Sequence, residues 1–577
     1  MKKTIKFALA LGTTLAGMLL SGTGAQAQTS CNTSVGPDVI VGDLQDIANY
    51  ASQTIGGVTY DAVSFGTYSC NIGNVWVNWF ASTNQHPVIG NNLYKYSTVN
   101  GATRIEQIGM SWLKHGFYAL SNTLCCSGCQ STNGMHLGVH CSDPYTASRN
   151  GDQAGLGPRW QVNATTGVFT YPPANPTYGG SVARRCRVAT SDLAPSSTSI
   201  KYFGEAQYVT QDDAAAGNSN NNCSYRGVGV TGSGTAWTFS LLGATQRELP
   251  AIKAWAAQDP NVVVQDIDIP AGGRVVLAEN VTDLGSNMWH YEFALFNLNC
   301  DDSIGGFSIP VGTATVTNIE FHDVAYHDGD GPGDVDFDGT DWPSAVNSGV
   351  LTWNTTPFAT NPSANALRWG TMYNFRFDAD QPPQAVSMAL TTFKTAALVG
   401  VTAEGPTGAV GGPKAAFCYP AMSGVMQCPC NNSPAFPGAG CDNSGSTGGA
   451  TLNASGNASL VMDTVVFTTT GEMPSATSVL LQGDAMNPNG VPFGQGVRCV
   501  TGSLHRMYLK TASGGAITAP EAGDQSVSLQ SASLGDNIAP GSHRYYQVFY
   551  RDPNVVGGCS AALGFNVTQA YDVTWNP

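Results

Sequence analysis

Residues 274–299 read RVVLAENVTDLGSNMWHYEFALFNLN and contain two strand-like runs, RVVLAENV and MWHYEFALFNLN. In the second run Trp289, Tyr291 and Phe293 fall on one face of an extended chain, with polar side chains on the other. Short runs of this kind, separated by Gly, Pro, Asn and Asp, recur between about residues 190 and 400 and again near the end of the chain. Their spacing predicts β-sandwich modules.

The composition changes along the chain and predicts a mainly β, multi-domain protein: β-sandwich modules with a mixed α/β N-terminal region. The one long helix that we expect is IEQIGMSWLKHGFYALSNTL, residues 105–124, in which apolar side chains recur every three or four positions. The predicted segments are a signal peptide at 1–27, a His/Cys-rich mixed region at 28–190, a central sandwich-like domain at 191–404, a Gly/Pro/Cys-rich linker at 405–449 and a C-terminal β-sandwich at 450–577.

The first 27 residues place three lysines before an apolar stretch and end in Ala25-Gln26-Ala27. This pattern is typical of a secretory signal peptide, so we expect an extracellular, periplasmic or cell-surface location. No later segment has the run of about 18 apolar residues that a membrane span requires.

Charged residues make up only 11% of the chain, and the net charge is −15. A negative chain is a poor partner for a phosphate backbone or an anionic bilayer, which argues against nucleic-acid binding. HExxH, Walker A and G-x-S-x-G motifs are absent from the sequence. The GxGxxG match at 227–232 precedes a strand-like run rather than a helix, so it does not predict dinucleotide binding.

Fifteen cysteines in an exported chain predict disulfides, and the odd number predicts that one cysteine of the first part is unpaired or bound to a metal. Cys499 and Cys559 are the expected pair of the last domain. Four cysteines crowd into a Pro/Gly/Asn-rich stretch and are expected to be bridged, with a zinc site as the alternative: Cys418, Cys428, Cys430 and Cys441.

The N-terminal region also concentrates imidazoles and a thiol. Such a set is typical of copper or zinc sites and would suit an oxidative or hydrolytic metalloenzyme. The alternative is structural, with a disulfide-bonded cysteine and histidines that are exposed or held by hydrogen bonds. The candidate ligands are His86, His115, His136, His140 and Cys141.

The segment FHDVAYHDGDGPGDVDFDGTDW, residues 321–342, carries the most specific site signal. Carboxylates at such density repel one another, and the D-x-D-x-D-G spacing is how calcium loops are built. The segment departs from an EF-hand because the twelfth position is Ala345, so an exposed acidic loop is the alternative. The candidate calcium ligands are Asp328, Asp330, Asp334, Asp336, Asp338 and Asp341.

His290 and Glu292, on the polar face of the opening stretch, could form a general base with its orienting partner. A polar patch on the wet side of a sheet is the alternative interpretation.

Several phrases, among them NQHPVIGNNLY, LGVHCSDPY and WHYEFALFNLN, resemble a group of uncharacterised long secreted proteins of environmental bacteria. The resemblance covers about residues 30 to 395, and the Cys-rich stretch with the C-terminal sandwich resembles a tail module of exported proteins. It implies an exported, β-rich, modular protein and no activity. The few charges and the absence of a recognisable catalytic motif lead us to expect a calcium-stabilised binding or structural protein that engages an extracellular polymer or surface partner, with a secreted metal-dependent enzyme as the alternative.

Overall fold

A computed structural model describes residues 31, 34–174, 179–194, 199–347, 349–406, 414–422, 424–460, 463–557, 559 and 564–575. The predicted signal peptide at 1–27 lies outside these residues. Antiparallel strands dominate the described chain and form three successive modules, which confirms the mainly β prediction. We call them the N-terminal module (34–258), the central module (259–406) and the C-terminal module (414–575).

The N-terminal module contains one large sheet with short helical turns at its connections. Its strands are β1 (Val39–Ile55), β2 (Val58–Asn71), β3 (Val77–Asn78), β4 (Val88–Val99), β5 (Ala102–Met110), β6 (Leu113–His115), β7 (His136–Leu137), β8 (Ser142–Tyr145), β9 (Leu156–Gly157), β10 (Val162–Asn163), β11 (Val168–Phe169), β12 (Cys186–Ala189), β13 (Lys201–Val209), β14 (Cys223–Ser233) and β15 (Ala236–Gln246). Its helices are α1 (Ala147–Asn150), α2 (Gln211–Ala216) and α3 (Ala254–Gln258), with 3-10 turns at Gln153–Gly155, Arg159–Gln161, Thr190–Asp192 and Ala251–Lys253.

The main path of this sheet runs β1-β2-β12-β5-β4-β13-β14-β15. The sheet curls so that its two outer strands meet through side chains: Asn49 of β1 donates to the Phe239 carbonyl of β15 at 3.3 Å and accepts from the Phe239 N–H at 2.8 Å. Because strands up to Gln246 belong to this sheet, the unit extends beyond the predicted boundary at 190.

The helix predicted at 105–124 is wrong, because this stretch forms β5, β6 and an irregular loop. Its apolar side chains belong to different cores: Ile108 packs in the N-terminal core, Ile105 in the cluster shared with the central module, and Met110 in the central core. A strand buried on both faces carries apolar residues without alternation, and here that pattern imitates two helical stripes.

The central module is a two-sheet sandwich, as predicted, with sheet orders β16-β17-β18-β23-β20 and β21-β22-β19-β24-β25. Phe293, Phe307, Trp353, Phe375 and Phe377 lie between the two sheets and are fully buried. Its strands are β16 (Val263–Asp268), β17 (Arg274–Gly285), β18 (Met288–Asn297), β19 (Ile304–Pro310), β20 (Val316–His322), β21 (Ser344–Asn347), β22 (Val350–Asn354), β23 (Met372–Ala379), β24 (Pro383–Thr392) and β25 (Leu398–Pro406).

The C-terminal module packs the sheet β26-β35-β34-β29-β32 against the smaller sheet β27-β28-β33 and the hairpin β30–β31. Strand β26 pairs with the last strand, so the Cys-rich stretch is part of this module rather than a separate linker. The elements are β26 (Lys414–Phe417), β27 (Thr451–Ser455), β28 (Val466–Thr470), β29 (Thr477–Gly483), β30 (Ala485–Phe493), β31 (Gly496–Thr501), β32 (His505–Thr511), β33 (Thr518–Ala519), α4 (Val527–Ser533), β34 (His543–Arg551) and β35 (Phe565–Thr574).

Disulfides staple the first and last modules. The predicted pair Cys499–Cys559 is wrong, because the Cys-rich stretch reaches both partners instead. The zinc alternative for the Cys-rich stretch is also wrong, since all four of the cysteines in that stretch are oxidised to disulfides. The bonds are Cys31–Cys126, Cys70–Cys125, Cys129–Cys141, Cys418–Cys499, Cys428–Cys441 and Cys430–Cys559.

Three cysteines, rather than one, have no disulfide partner: Cys186, Cys223 and Cys300. All three are buried, and burial raises the pKa of Cys186 to about 12 and that of Cys300 to about 11. Thiols held so far from ionisation are unreactive packing residues. None of the helices in the described part of the chain has the length and apolar character needed to cross a membrane.

Candidate functional site

The N-terminal and central modules meet along a buried, hydrogen-bonded junction. Arg159 crosses it: its Nε donates to the Ser111 carbonyl at 2.7 Å, Nη1 to the Gly370 carbonyl at 3.1 Å and Nη2 to Asn92 Oδ1 at 2.8 Å. Burial lowers the pKa of this guanidinium. Because its donors are directed at fixed backbone oxygens of both modules, Arg159 holds the junction rather than a ligand.

The predicted His290–Glu292 pair lies at this junction. His290 donates from Nδ1 to Asp378 at 2.7 Å and from Nε2 to Glu292 at 3.2 Å. Glu292 also binds Arg376 at 3.0 Å and Arg104 at 3.1 Å, which brings the two modules together. Burial lowers the pKa of His290, but the bonds to Glu292 and Asp378 outweigh it and raise the pKa. Both ring nitrogens of His290 are engaged in these bonds, so neither is free to act as a general base. We call the hydrogen-bonded pair His290–Glu292 the junction clasp.

His86 and His115 are brought together in the N-terminal module, with His86 Nε2 and His115 Nδ1 2.9 Å apart. His86 Nδ1 lies 3.1 Å from the Phe80 carbonyl, which can only accept, so Nδ1 carries the proton. His86 Nε2 therefore accepts from His115 Nδ1. Burial, and then the neighbouring His86, lower the pKa of His115 to about 3. Both rings are neutral, and His86 Nε2 and His115 Nδ1 are occupied by the hydrogen bond between them.

The other three predicted ligands do not join them. Cys141 is bonded to Cys129, so the thiolate that the prediction required does not exist. His136 packs between the rings of Trp76 and Phe80, and His140 binds the Ser127 carbonyl at 3.0 Å. Within the described ranges, no three His, Cys, Asp or Glu side chains are grouped to hold a metal ion. Copper or zinc binding gains no support from this arrangement.

The acidic loop, residues 323–341, uses part of its charge to cap its own turns. Asp336 accepts from the Gly329 N–H at 2.7 Å, and Asp338 accepts from the Thr340 N–H at 2.9 Å. Asp330 is 3% exposed, whereas Asp328, Asp334, Asp336 and Asp341 are exposed and Asp338 is partly so. Calcium binding by this loop stays a prediction.

One wall of a cavity at the junction is built by the acidic loop. The cavity has a volume of about 240 Å³, and its lining combines five aromatic side chains with charged and aliphatic ones. Tyr326 and Phe337 come from the loop, Trp160 from the N-terminal module, and Phe358 and Trp369 from the central module. A concave, largely apolar space between modules is where small molecules are most often bound.

Three residues that line this junction cavity each carry a buried polar atom without a hydrogen-bond partner: Asp330 Oδ1, Trp160 Nε1 and Arg368 Nε. Asp330 is positioned by its other oxygen, which accepts from the His327 N–H at 2.6 Å. Burial raises the pKa of Asp330 to about 7. The Trp112 indole lies near this carboxyl without reaching hydrogen-bond geometry. Unsatisfied buried atoms that share a cavity are the mark of a ligand site.

Arg368 is held by two bonds of 3.0 Å from Nη2 to the carbonyls of Pro362 and Ala364. Its guanidinium carbon lies 3.7 Å from the centre of the Phe337 ring. Burial lowers the pKa of Arg368. Stacking and the two carbonyls fix the plane of the guanidinium, so its orphan Nε is preorganised.

Of the residues predicted as sites, only Asp330 lines the junction cavity. Trp160 and Arg368 were missed. One signal could have found them: the dipeptide Arg-Trp occurs at 159–160 and at 368–369, and all four residues line the cavity. In a chain with few charges, cation–aromatic neighbours in two distant segments are conspicuous.

No family model and no curated protein matches this chain. Among solved structures, the Actinomyces fimbrial adhesin FimA is 10% identical over 55% of this chain and 97% of its own, with a TM-score of 0.12. The BSP domain of a biofilm-associated protein is 9% identical over 96% of this chain and 84% of its own, also with a TM-score of 0.12. Likeness at this level carries no argument about fold or function.

Proposed function

We propose that this protein is an exported binding protein whose junction cavity holds one sugar unit of an extracellular polymer. The observation that supports it is the set of three unpartnered polar atoms, from Trp160, Asp330 and Arg368, in one aromatic cavity. Leaving such groups unpaired in a dry site costs about 1–3 kcal/mol each, so a ligand that satisfies them is favoured.

The kind of unpaired atom indicates the ligand. Two are N–H donors, on Trp160 and Arg368, and one is a carboxyl oxygen of Asp330. A hydroxyl accepts from an N–H and donates to an oxygen at once, whereas a purely anionic or purely cationic group matches only part of the set. The aromatic walls suit the apolar face of a hydroxylated ring.

The size of the cavity favours a single ring. Its volume of about 240 Å³ lies below the range of about 300–1,000 Å³ that is usual for drug-sized ligands. A terminal or side-chain sugar would fit, with the rest of the polymer outside.

Export is supported by the six disulfides in the described chain. Such bonds persist in oxidising compartments and are rare in the cytosol.

The test is a screen of the disulfide-intact protein against immobilised glycans, followed by calorimetry with those that bind. Replacement of Trp160 by Phe removes one N–H and keeps the ring, so we expect about a tenfold loss of affinity. The matched control is Trp76→Phe, because Trp76 is 56% exposed and does not line the cavity.

The glycan affinity of Asp330→Asn is measured in the same way. Its control is Asp334→Asn, on the exposed part of the same loop. The proposal is overturned if no glycan binds, or if Trp160→Phe and Trp76→Phe change binding equally.

A further inference from the structure

A second, smaller cavity adjoins the same loop. Its volume is about 120 Å³, and it is lined by Gln53, Arg184 and Arg187 of the N-terminal module and by His327 and Asp328 of the acidic loop. Tyr326 and Asp330, on either side of these loop residues, line the junction cavity instead. The loop thus contributes to two separate sites.

Arg187 is a buried cation that forms no direct ion pair in the described chain. It is 7% exposed, its guanidinium carbon lies 4.8 Å from the centre of the Tyr60 ring, and its Nη2 donates to the Tyr326 carbonyl. Its Nε has no hydrogen-bond partner, and in the described chain it forms no ion pair. A buried charge is stable only when it is paired or fully hydrogen-bonded, so this guanidinium favours an anion beside it.

Arg184 brings a second guanidinium to the same cavity. It is 6% exposed, lies over the Trp112 ring at 5.0 Å, and donates from Nη1 to the Gln153 carbonyl at 2.9 Å. Two like charges in one small, poorly solvated space repel each other, and a shared anion relieves that repulsion.

His327 of the acidic loop also lines this cavity. Its Nε2 lies 2.9 Å from the Met110 carbonyl, so Nε2 carries the proton, and its Nδ1 has no hydrogen-bond partner. Burial, and then the charge of Arg187, lower the pKa of His327 well below its usual range. The charged groups around this ring are Arg159, Arg184 and Arg187 of the N-terminal module and Asp328 and Asp330 of its own loop.

We infer that the second cavity is a small-oxyanion site, which takes a carboxylate, sulfate or phosphate group between Arg187 and Arg184. Asp328 is the only carboxylate among the lining residues, and it is exposed. The group could come from a free anion or from an acidic substituent of a polymer. The inference does not rest on the sugar-binding proposal.

The experiment compares sodium sulfate with sodium chloride at equal ionic strength, using calorimetry and thermal unfolding of the full chain. We expect saturable sulfate binding that raises the unfolding temperature. Arg187→Gln should abolish it, and Arg187→Lys, which keeps the charge without the fork, should weaken it by about tenfold. The control is Arg149→Gln, which removes an exposed arginine of α1 outside the cavity.

Glucuronate and a sulfated saccharide distinguish the sources of the anion. If either saccharide binds more strongly than free sulfate, the natural ligand is an acidic substituent of a polymer; equal binding indicates a free anion. Absence of saturable binding to the wild-type protein, or equal losses in Arg187→Gln and Arg149→Gln, would overturn the inference. Trp160→Phe should leave sulfate binding unchanged, which separates this result from the sugar test.

Discussion

The central and C-terminal modules are both layered β-structures with buried aromatic cores, but in the described chain only the C-terminal module is also tied by disulfides. The central core is aromatic: the Phe375 ring lies 5.0 Å from Phe307 and 5.4 Å from Trp353, and the described part of this module contains no disulfide. The C-terminal module is tied by three bonds, the longest of which, Cys430–Cys559, spans 129 residues.

The difference follows from the composition of the two segments. Wide aromatic side chains bury enough apolar surface to offset the chain entropy lost on folding. The Gly-, Pro- and Asn-rich stretch at 418–449 offers little apolar surface, so its order depends on covalent closure. The same architecture thus accommodates a stretch with little apolar surface where oxidised cysteines restrict the unfolded chain.

The largest effect should come from the aromatic core. Phe375→Ala removes a fully buried ring, and we expect the free energy of unfolding of the central module to fall by about 3–5 kcal/mol. Denaturant unfolding, followed by tryptophan fluorescence, measures it. Leu509→Ala is the control, because Leu509 is 70% exposed on β32 and should change stability by less than about 0.5 kcal/mol. A loss from Phe375→Ala as small as the control's would contradict the assignment of this core.

The next effect concerns the Cys430–Cys559 disulfide. A protein with both Cys430→Ser and Cys559→Ser loses the longest loop closure, which should cost the C-terminal module about 2–5 kcal/mol. Calorimetry should show its transition at a lower temperature, while the central transition, an internal control, stays in place. An equal shift of both transitions would show that this disulfide does not stabilise the C-terminal module selectively.

The smallest effect is electrostatic. The pKa of His290 is raised in the folded state, so the stability that its bonds contribute is present below the unfolded pKa of about 6.5 and is lost as pH rises through the folded pKa. His290→Gln should therefore destabilise the junction by about 1–2 kcal/mol at about pH 5.5 and far less in alkali.

The matched control for this change is His543→Gln in the C-terminal module. His543 also bonds an aspartate, Asp572, at 2.8 Å, but its side chain is 50% exposed, so its loss should be close to zero at any pH. Similar pH profiles for the two variants would refute a special role for the junction clasp.

The strands of the central module could be predicted because one face of each packs on a core, as in MWHYEFALF. The strand at 102–110 could not, because both of its faces are buried and its periodicity resembles a helix. Asp330 was predicted as a calcium ligand, and the structure places it in a cavity wall instead. Trp160 and Arg368 lie more than 200 positions apart in the chain, and apart from the repeated Arg-Trp dipeptide nothing local to either one indicates that they share a cavity.

The sequence by itself determined that the chain is β-rich, modular and rich in cysteines suited to an oxidising compartment, because alternation and composition are local properties. Only the tertiary structure decided which cysteines bond, that five candidate metal ligands do not converge, and that two cavities flank one acidic loop. These depend on which distant segments the packing of the modules brings together, and no local pattern encodes that choice.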